Sequence, residues 1–406
     1  MAATSLKPPQ KNTGFTAWLK ENMFSNWWNS LLSIVCLTVI VWSIYSLGVW
    51  IFNAQGWGIV KNNLRLLSVF TYPIELLWRP FVCVMIIMGL FGVSAGVSNQ
   101  GIGNIIRQSF YWIFAALVGF WIWSLVSFPS VRWLWFGVVV CGIAGFLLGR
   151  VFPHLSKILS WLWIVSWFVC LVFLVGFGVN SPDNPLRPVS TKLWGGIMLS
   201  FFLSVNGIVL SFPLGIALAL GRQSKLPVIK WICTTYIEVI RGAPLVTWLF
   251  MASLMLPLML GGLNVLAIIR AQVAIILFAA AYMAENVRGG LQAVPKGQIE
   301  ASRALGLNSF DTVRRIVLPQ ALRAVIPAVV GLFIGLFKDT SLVTIVGLSD
   351  LFETARKVSN QPETTQITGG VVRELFIVMS LFYWFFSYRM SVASKQLEKQ
   401  LGLGTR

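Results

Sequence analysis

The sequence predicts an all-α, polytopic membrane protein of about ten transmembrane helices, with eight as the smaller count. Three observations predict it. Apolar residues make up 57% of the 406 and charged residues only 11%, against about 25% charged in an ordinary soluble domain. The apolar residues come in repeated runs long enough to cross a hydrocarbon layer of about 30 Å. The basic residues, which bring the formal charge to +18, sit mostly at the ends of those runs, as topology signals do.

The same features exclude other classes. No block of basic residues interleaved with stacking aromatics occurs, so nucleic acid is not an expected partner. Cys36, Cys83, Cys141, Cys170 and Cys233 all fall inside apolar runs without CxxC spacing, and His154 is the only histidine. Buried structural thiols are expected, with no metal site. The first apolar run starts near Ser30, after a polar lead containing Lys7, Lys11 and Lys20. It is too long, and its flanks are wrong, for a cleaved signal peptide, so it reads as a retained first span.

At about 20 residues per crossing, the candidate spans are roughly 30–52, 80–97, 109–128, 131–149, 157–179, 193–220, 231–258, 265–287, 322–345 and 372–391. Trp27, Trp28, Trp50 and Trp57 bracket the first as interface anchors. The stretch from Asn53 to Arg79 is moderately polar and too short for a folded domain. Glycine pairs four apart occur at Gly92 and Gly96, Gly145 and Gly149, and Gly331 and Gly335; only the third is taken as a helix-packing signal. Three prolines between Asn180 and Thr191 mark a boundary. It divides an N-terminal transmembrane extension, 1–190, from a compact five-span unit, 191–395, and a tail, 396–406. With the N-terminus inside, cytoplasmic segments carry 19 Lys and Arg and the opposite loops nine, so both termini are expected in the cytoplasm.

Residues 295–320 are polar and basic between two apolar spans, so they lie in water at the cytoplasmic face. Pro295 suits a helix first turn, Gly306 ends that helix, and Asn308 or Ser309 caps a second one running to Leu318. Pro319 is expected to mark a turn into span nine. Arg303, Arg314 and Arg315 offer donors to carboxylates of a partner protein or to lipid phosphates. Both occupants stand on spacing alone.

Ionisable groups inside spans are costly and therefore candidates for function. Glu238 and Arg241 fall in span seven, with Arg241 about 15 Å from the cytoplasmic end at 1.5 Å per residue. Lys338 and Asp339 fall in span nine nearer the other leaflet, followed by the hydroxyls of Thr340 and Ser341. Together they supply both signs that a zwitterion needs. Equally, Glu238 and Arg241, three apart, can neutralise one another, and Lys338 can snorkel. Glu285 and Arg288, again three apart at the cytoplasmic end of span eight, read as support for the loop.

The loop carries a pattern: Glu300–Ala301–Ser302, then Arg303, then Gly306, then Ile316-x-Leu318–Pro319. It resembles the EAA loop of permease subunits of ABC importers, with Ser302 where alanine is usual. Arg241–Gly242–Ala243–Pro244–Leu245, Ala284–Glu285-x-x-Arg288–Gly289–Gly290 and Lys338–Asp339–Thr340–Ser341–Leu342 resemble the polar amino-acid branch, the histidine/glutamine-type permeases. The first half is similar to the longer permeases of general L-amino-acid systems. The resemblance implies a type I ABC importer permease core of five helices with a cytoplasmic coupling helix. It further implies a heteromeric complex in a bacterial inner membrane, built with ABC ATPase subunits, a second permease of a different sequence and a periplasmic amino-acid-binding protein. ATP and Mg would sit on the ATPase, and this chain would be a non-catalytic subunit without a cofactor. None of its thirteen lysines is followed by Ser or Thr, so it has no GxxxxGK[ST] phosphate loop. The rival readings are an ion-coupled secondary amino-acid transporter and a membrane scaffold or sensor that binds an ATPase; the absence of an internal sequence repeat weighs against the first.

Overall fold

A helix satisfies its backbone N–H and C=O groups within itself, so long apolar runs in lipid become helices. The structure, a computed structural model, describes residues 14–97, 102–127, 131–179, 181, 184–259, 261, 265–365, 367 and 370–402. Lys7, Lys11, Asn180, Pro182 and Asp183 lie outside them. The chain forms two compact units, Met1–Trp57 and Gly58–Arg406. In the first, a short helix Phe15–Asn22 precedes α1, Trp27–Asn53. No residue of α1 is buried, as expected of a helix solvated by lipid. Trp27 stacks on Trp28 at 3.9 Å, and Trp57 donates its indole N–H to the Ile51 carbonyl at 2.7 Å.

In the second unit, α2 (Trp78–Val97), α3 (Ile102–Ser127), α4 (Arg132–Val151) and α5 (Leu159–Val175) form the first group. α2 and α4 lie backbone to backbone. A Cβ on Gly92 would meet the Gly142 carbonyl oxygen, one on Gly96 that of Phe146, one on Gly145 that of Gly89 and one on Gly149 that of Val93. The packing signal is thus carried by the two glycine pairs discounted in the sequence. Gly331 and Gly335 meet nothing within 4 Å. The physical reason is that a close approach needs small residues on both partners in register, which α2 and α4 provide.

α6 (Gly196–Arg222), α7 (Pro227–Arg241), α8 (Leu245–Phe250), α9 (Ala267–Ala293), α10 (Lys296–Ala304), α11 (Leu318–Asp339), α12 (Leu351–Ser359) and α13 (Val372–Gln400) follow. α6 and α9 run parallel, because Gly207 lies beside Ile275 and Gly215 beside Met283. The chain between them must therefore return across the layer. It does so through α7 and the Leu245–Met259 segment, which meet at 102° around Gly242 and Pro244. Expected span seven is thus a broken one, since proline cannot continue the helix hydrogen-bonding and glycine tolerates the bend. Among the described residues, eight helices are long and apolar enough to cross, nine with the bent pair. The 17-residue α5, shorter than these, runs antiparallel to α2, with Trp163 beside Ser94 and Phe173 beside Trp78. A buried cluster joins Tyr72, Leu76, Cys83 and Leu174 to Trp194, Leu199, Leu203, Ile275 and Leu336, so residues on both sides of the proline-rich boundary share one core.

Candidate functional site

The loop between α9 and α11 is held from beneath and exposed on top. α10 ends at Ala304 with Leu305 as its C-cap, and Gly306 adopts φ 77°, the left-handed backbone that glycine reaches without a Cβ clash. The Leu307 N–H then donates to the Ser302 carbonyl at 3.1 Å, closing the helix. Ser302 is 1% exposed, and its hydroxyl donates to the Ile299 carbonyl at 2.7 Å and contacts Thr312 Oγ1 at 3.1 Å. The hydroxyl that departs from the usual alanine thus ties α10 to the next segment. Asn308 caps that segment by accepting from the Asp311 N–H at 2.8 Å, and Asp311 pairs with Arg315 at 3.0 Å.

The expected turn at Pro319 is absent. Ser309–Thr312 continues through a π-turn at Val313–Val317 directly into α11. Proline has no N–H for the carbonyl four residues back and its ring crowds it, so the helix widens instead of ending. The Gln320 side chain donates to the Ile316 carbonyl at 2.9 Å, which the altered ladder exposes. Val317 is buried, and Ile316 and Leu318 are half-buried, whereas Glu300, Ala301, Arg303, Gly306 and Pro319 are exposed. Two apolar side chains that the sequence reading passed over stand out beside them: Leu305 is 80% and Phe310 70% exposed.

One helix layer inward lies an ion network. Arg222, the last residue of α6, contacts Glu238 at 2.8 Å and Glu285 at 3.3 Å. Arg241 reaches the same Glu285 oxygen at 3.2 Å and stacks over the Tyr282 ring at 5.5 Å. Arg288 forks onto the other Glu285 oxygen, its Nε at 3.0 Å, and donates to Gln292 at 3.0 Å. Glu238 and Arg241 therefore do not neutralise one another as the spacing allowed; each is paired with a group on another helix. Their contacts put both at the level where α6 ends. Arg222 was missed in the sequence because it stands at a span edge, where a basic residue reads as a topology signal.

Lys338 and Asp339 close α11 at its other end, far from this network, so the structure does not bring the four span charges together within one chain. Lys338 is exposed, and among the described residues no carboxylate lies within ion-pair distance of it. Thr340 is fully buried and donates to the Phe337 carbonyl at 2.7 Å, while Ser341 donates to the Lys338 carbonyl at 2.8 Å. Beyond them, Ser349 and Asp350 bridge in parallel to Gly195 and Gly196. Asp350 caps α12 by accepting from the Phe352 and Glu353 N–H groups at 3.1 and 3.0 Å, and burial pushes its carboxyl up to about 7. Glu353 accepts from Thr344 at 2.6 Å and pairs with Arg356 at 2.9 Å. The Asp350-x-x-Glu353 spacing is a helix-start signature that would have located this cap.

The described residues thus form a bundle of long apolar helices with a polar loop on one face and a charge network behind it. The family model for binding-protein-dependent transport system inner membrane components matches residues 211–402. The chain is 35% identical over 391 residues to an inner membrane amino-acid ABC transporter permease protein, YhdY, of Escherichia coli K12, covering 95% of this chain and 93% of that protein. It is 34% identical to the glutamate/glutamine/aspartate/asparagine transport system permease protein BztC of Rhodobacter capsulatus, over 97% of this chain and 95% of that one. A probable glutamine ABC transporter permease protein, GlnP, of Bacillus subtilis is 34% identical over 51% of this chain and 92% of its own length. The chain belongs to the family of binding-protein-dependent ABC transporter permeases, among those for amino acids.

Proposed function

We propose that this chain is a permease subunit of an amino-acid importer driven by a separate ATPase, which grips α10 at the cytoplasmic face. The observation that carries the reading is the pair of exposed apolar side chains, Leu305 and Phe310, on a loop that Ser302, Thr312 and Asn308 hold in one conformation. Large apolar groups displayed in water on a rigid support mark a docking surface, with Glu300 and Arg303 as its polar rim. ATP and Mg belong to that partner.

The far end, with α12, would receive a periplasmic binding protein. A second permease, of different sequence, would face the open side of α11. There Gly331, Gly335 and Lys338 share one helix face, and neither glycine has an atom within 4 Å of its Cβ position. Across that face Lys338, Asp339, Thr340 and Ser341, with Glu238 and Arg241 below, are the proposed contacts of a zwitterionic substrate. Glu285 and Arg288 brace the loop. Residues 1–190 form the proposed extension to a core that, in the B. subtilis relative, corresponds to a nearly full-length protein.

Reconstitution in proteoliposomes with the ATPase and binding protein tests this. Phe310→Glu and Gly306→Pro are each expected to lower ATP-driven uptake at least tenfold while the protein stays in the membrane. Wild-type uptake by both, or uptake by the chain alone without ATP, would sink the proposal.

A further inference from the structure

We propose that the seam between α3 and α13 at the loop end binds a phosphate-bearing anion, presented by the headgroup of an anionic phospholipid. The residue that points to it is Arg389. Its side chain is buried between the two helices, 8% exposed, and its Nε and Nη2 have no hydrogen-bond partner. Among the described residues no carboxylate lies within ion-pair distance of it. The face of Trp112 on α3 lies 5.7 Å from the Arg389 Cζ. A π face attracts a cation but accepts none of the two in-plane N–H groups. Those parallel donors match the oxygens of a phosphate.

Depth selects the source. The apolar run of α13 ends at about residue 391, and that of α3 begins at about 109, so Arg389 and Trp112 lie where hydrocarbon gives way to headgroups. Trp384 and Tyr388, stacked at 5.3 Å and more than half exposed, stand near Arg389 on α13 as interfacial aromatics do. Two turns beyond Arg389 on the same face, Gln396 donates to Gln108 and leaves its own buried Oε1 without a donor. That oxygen suits a headgroup hydroxyl or ammonium. A basic group held between helices at this depth is the setting in which anionic headgroups bind.

The test uses the full chain, purified in detergent, stripped of lipid and titrated with phosphatidylglycerol, phosphatidylcholine or inorganic phosphate. Native mass spectrometry reads retained lipid, and thermal shift reads stabilisation. Phosphatidylglycerol is expected to bind wild type at least tenfold more tightly than Arg389→Gln and more tightly than phosphatidylcholine binds wild type. Arg389→Lys, which keeps the charge but loses the planar fork, is expected to fall between and to report the site if the Gln variant does not fold. Equal retention of phosphatidylglycerol by wild type and both variants overturns the proposal. Stabilisation by inorganic phosphate equal to that by the lipid, and lost in the variants, keeps the anion site but overturns its lipid source.

Discussion

Glu285 is the carboxylate on which three guanidinium groups converge, from Arg222, Arg241 and Arg288. Its side chain is 23% exposed, so its removal is expected to cost less than the roughly 3–5 kcal/mol of a fully buried pair. For Glu285→Gln we expect a loss of about 1–3 kcal/mol, read as a lower thermal midpoint of the purified chain. An unchanged midpoint would make the network ornamental. The pair Glu285–Arg288 was visible in the sequence as two residues on one helix face. The contributions of Arg222 and Arg241 were not, because sequence spacing says nothing about side chains on different helices. At the far end Asp350 gives a pH prediction. Its carboxyl is raised from 3.8 to about 7 in the fold, so its contribution to stability is full below the unfolded value and is lost as pH rises through the folded one. Asp350→Asn keeps an acceptor for the cap and is expected to flatten the stability profile between about pH 4 and pH 7. A profile as steep as that of wild type would exclude Asp350 as its source.

Among the elements, the turn after α10 depends on backbone that only glycine adopts cheaply. Gly306→Val is expected to cost about 1–2 kcal/mol from left-handed strain alone, with the loop loosening before the bundle does. Hydrogen exchange confined to residues 296–312 would check this, and unchanged exchange would refute it. The seam between α2 and α4 predicts a harsher outcome. Gly145→Leu drives a side chain into the Gly89 backbone, which cannot yield as a side-chain tip would, so loss of monodisperse protein on size exclusion is expected. A normal profile would show that the two helices can part. Pro295, Gly306 and Asn308 made the first turn of the loop legible, because each has a local backbone reason to be there. Pro319 misled, because a proline early in a long helix can be absorbed by a π-turn as well as by a break. The bend at Gly242–Pro244 was written in the same two residue types, yet the apolar run on either side hid it.

At the scale of the molecule, composition and run length made the helical membrane class legible, since lipid leaves the backbone few options. The contacts between crossings were not, apart from the motifs, because lipid-facing and helix-facing apolar residues look alike in sequence. The imbalance of basic residues predicts that a fluorescent reporter fused after Arg406, active only in the cytoplasm, is bright, and that a periplasmic phosphatase fused there is inactive. The reverse pattern would invert every assignment of sides. The absent turn at Pro319 has one more consequence. From Ser309 to Val346 the chain is a single helical stretch of 38 residues, about 57 Å at 1.5 Å per residue. Its foot on the loop and its far end at Thr340–Val346, beside α12, belong to one run of backbone, which departs from α geometry at the π-turn, at Pro327 and in the last, 3₁₀ turns. The exposed loop and the far end of the bundle are thus tied by one continuous piece of helical backbone.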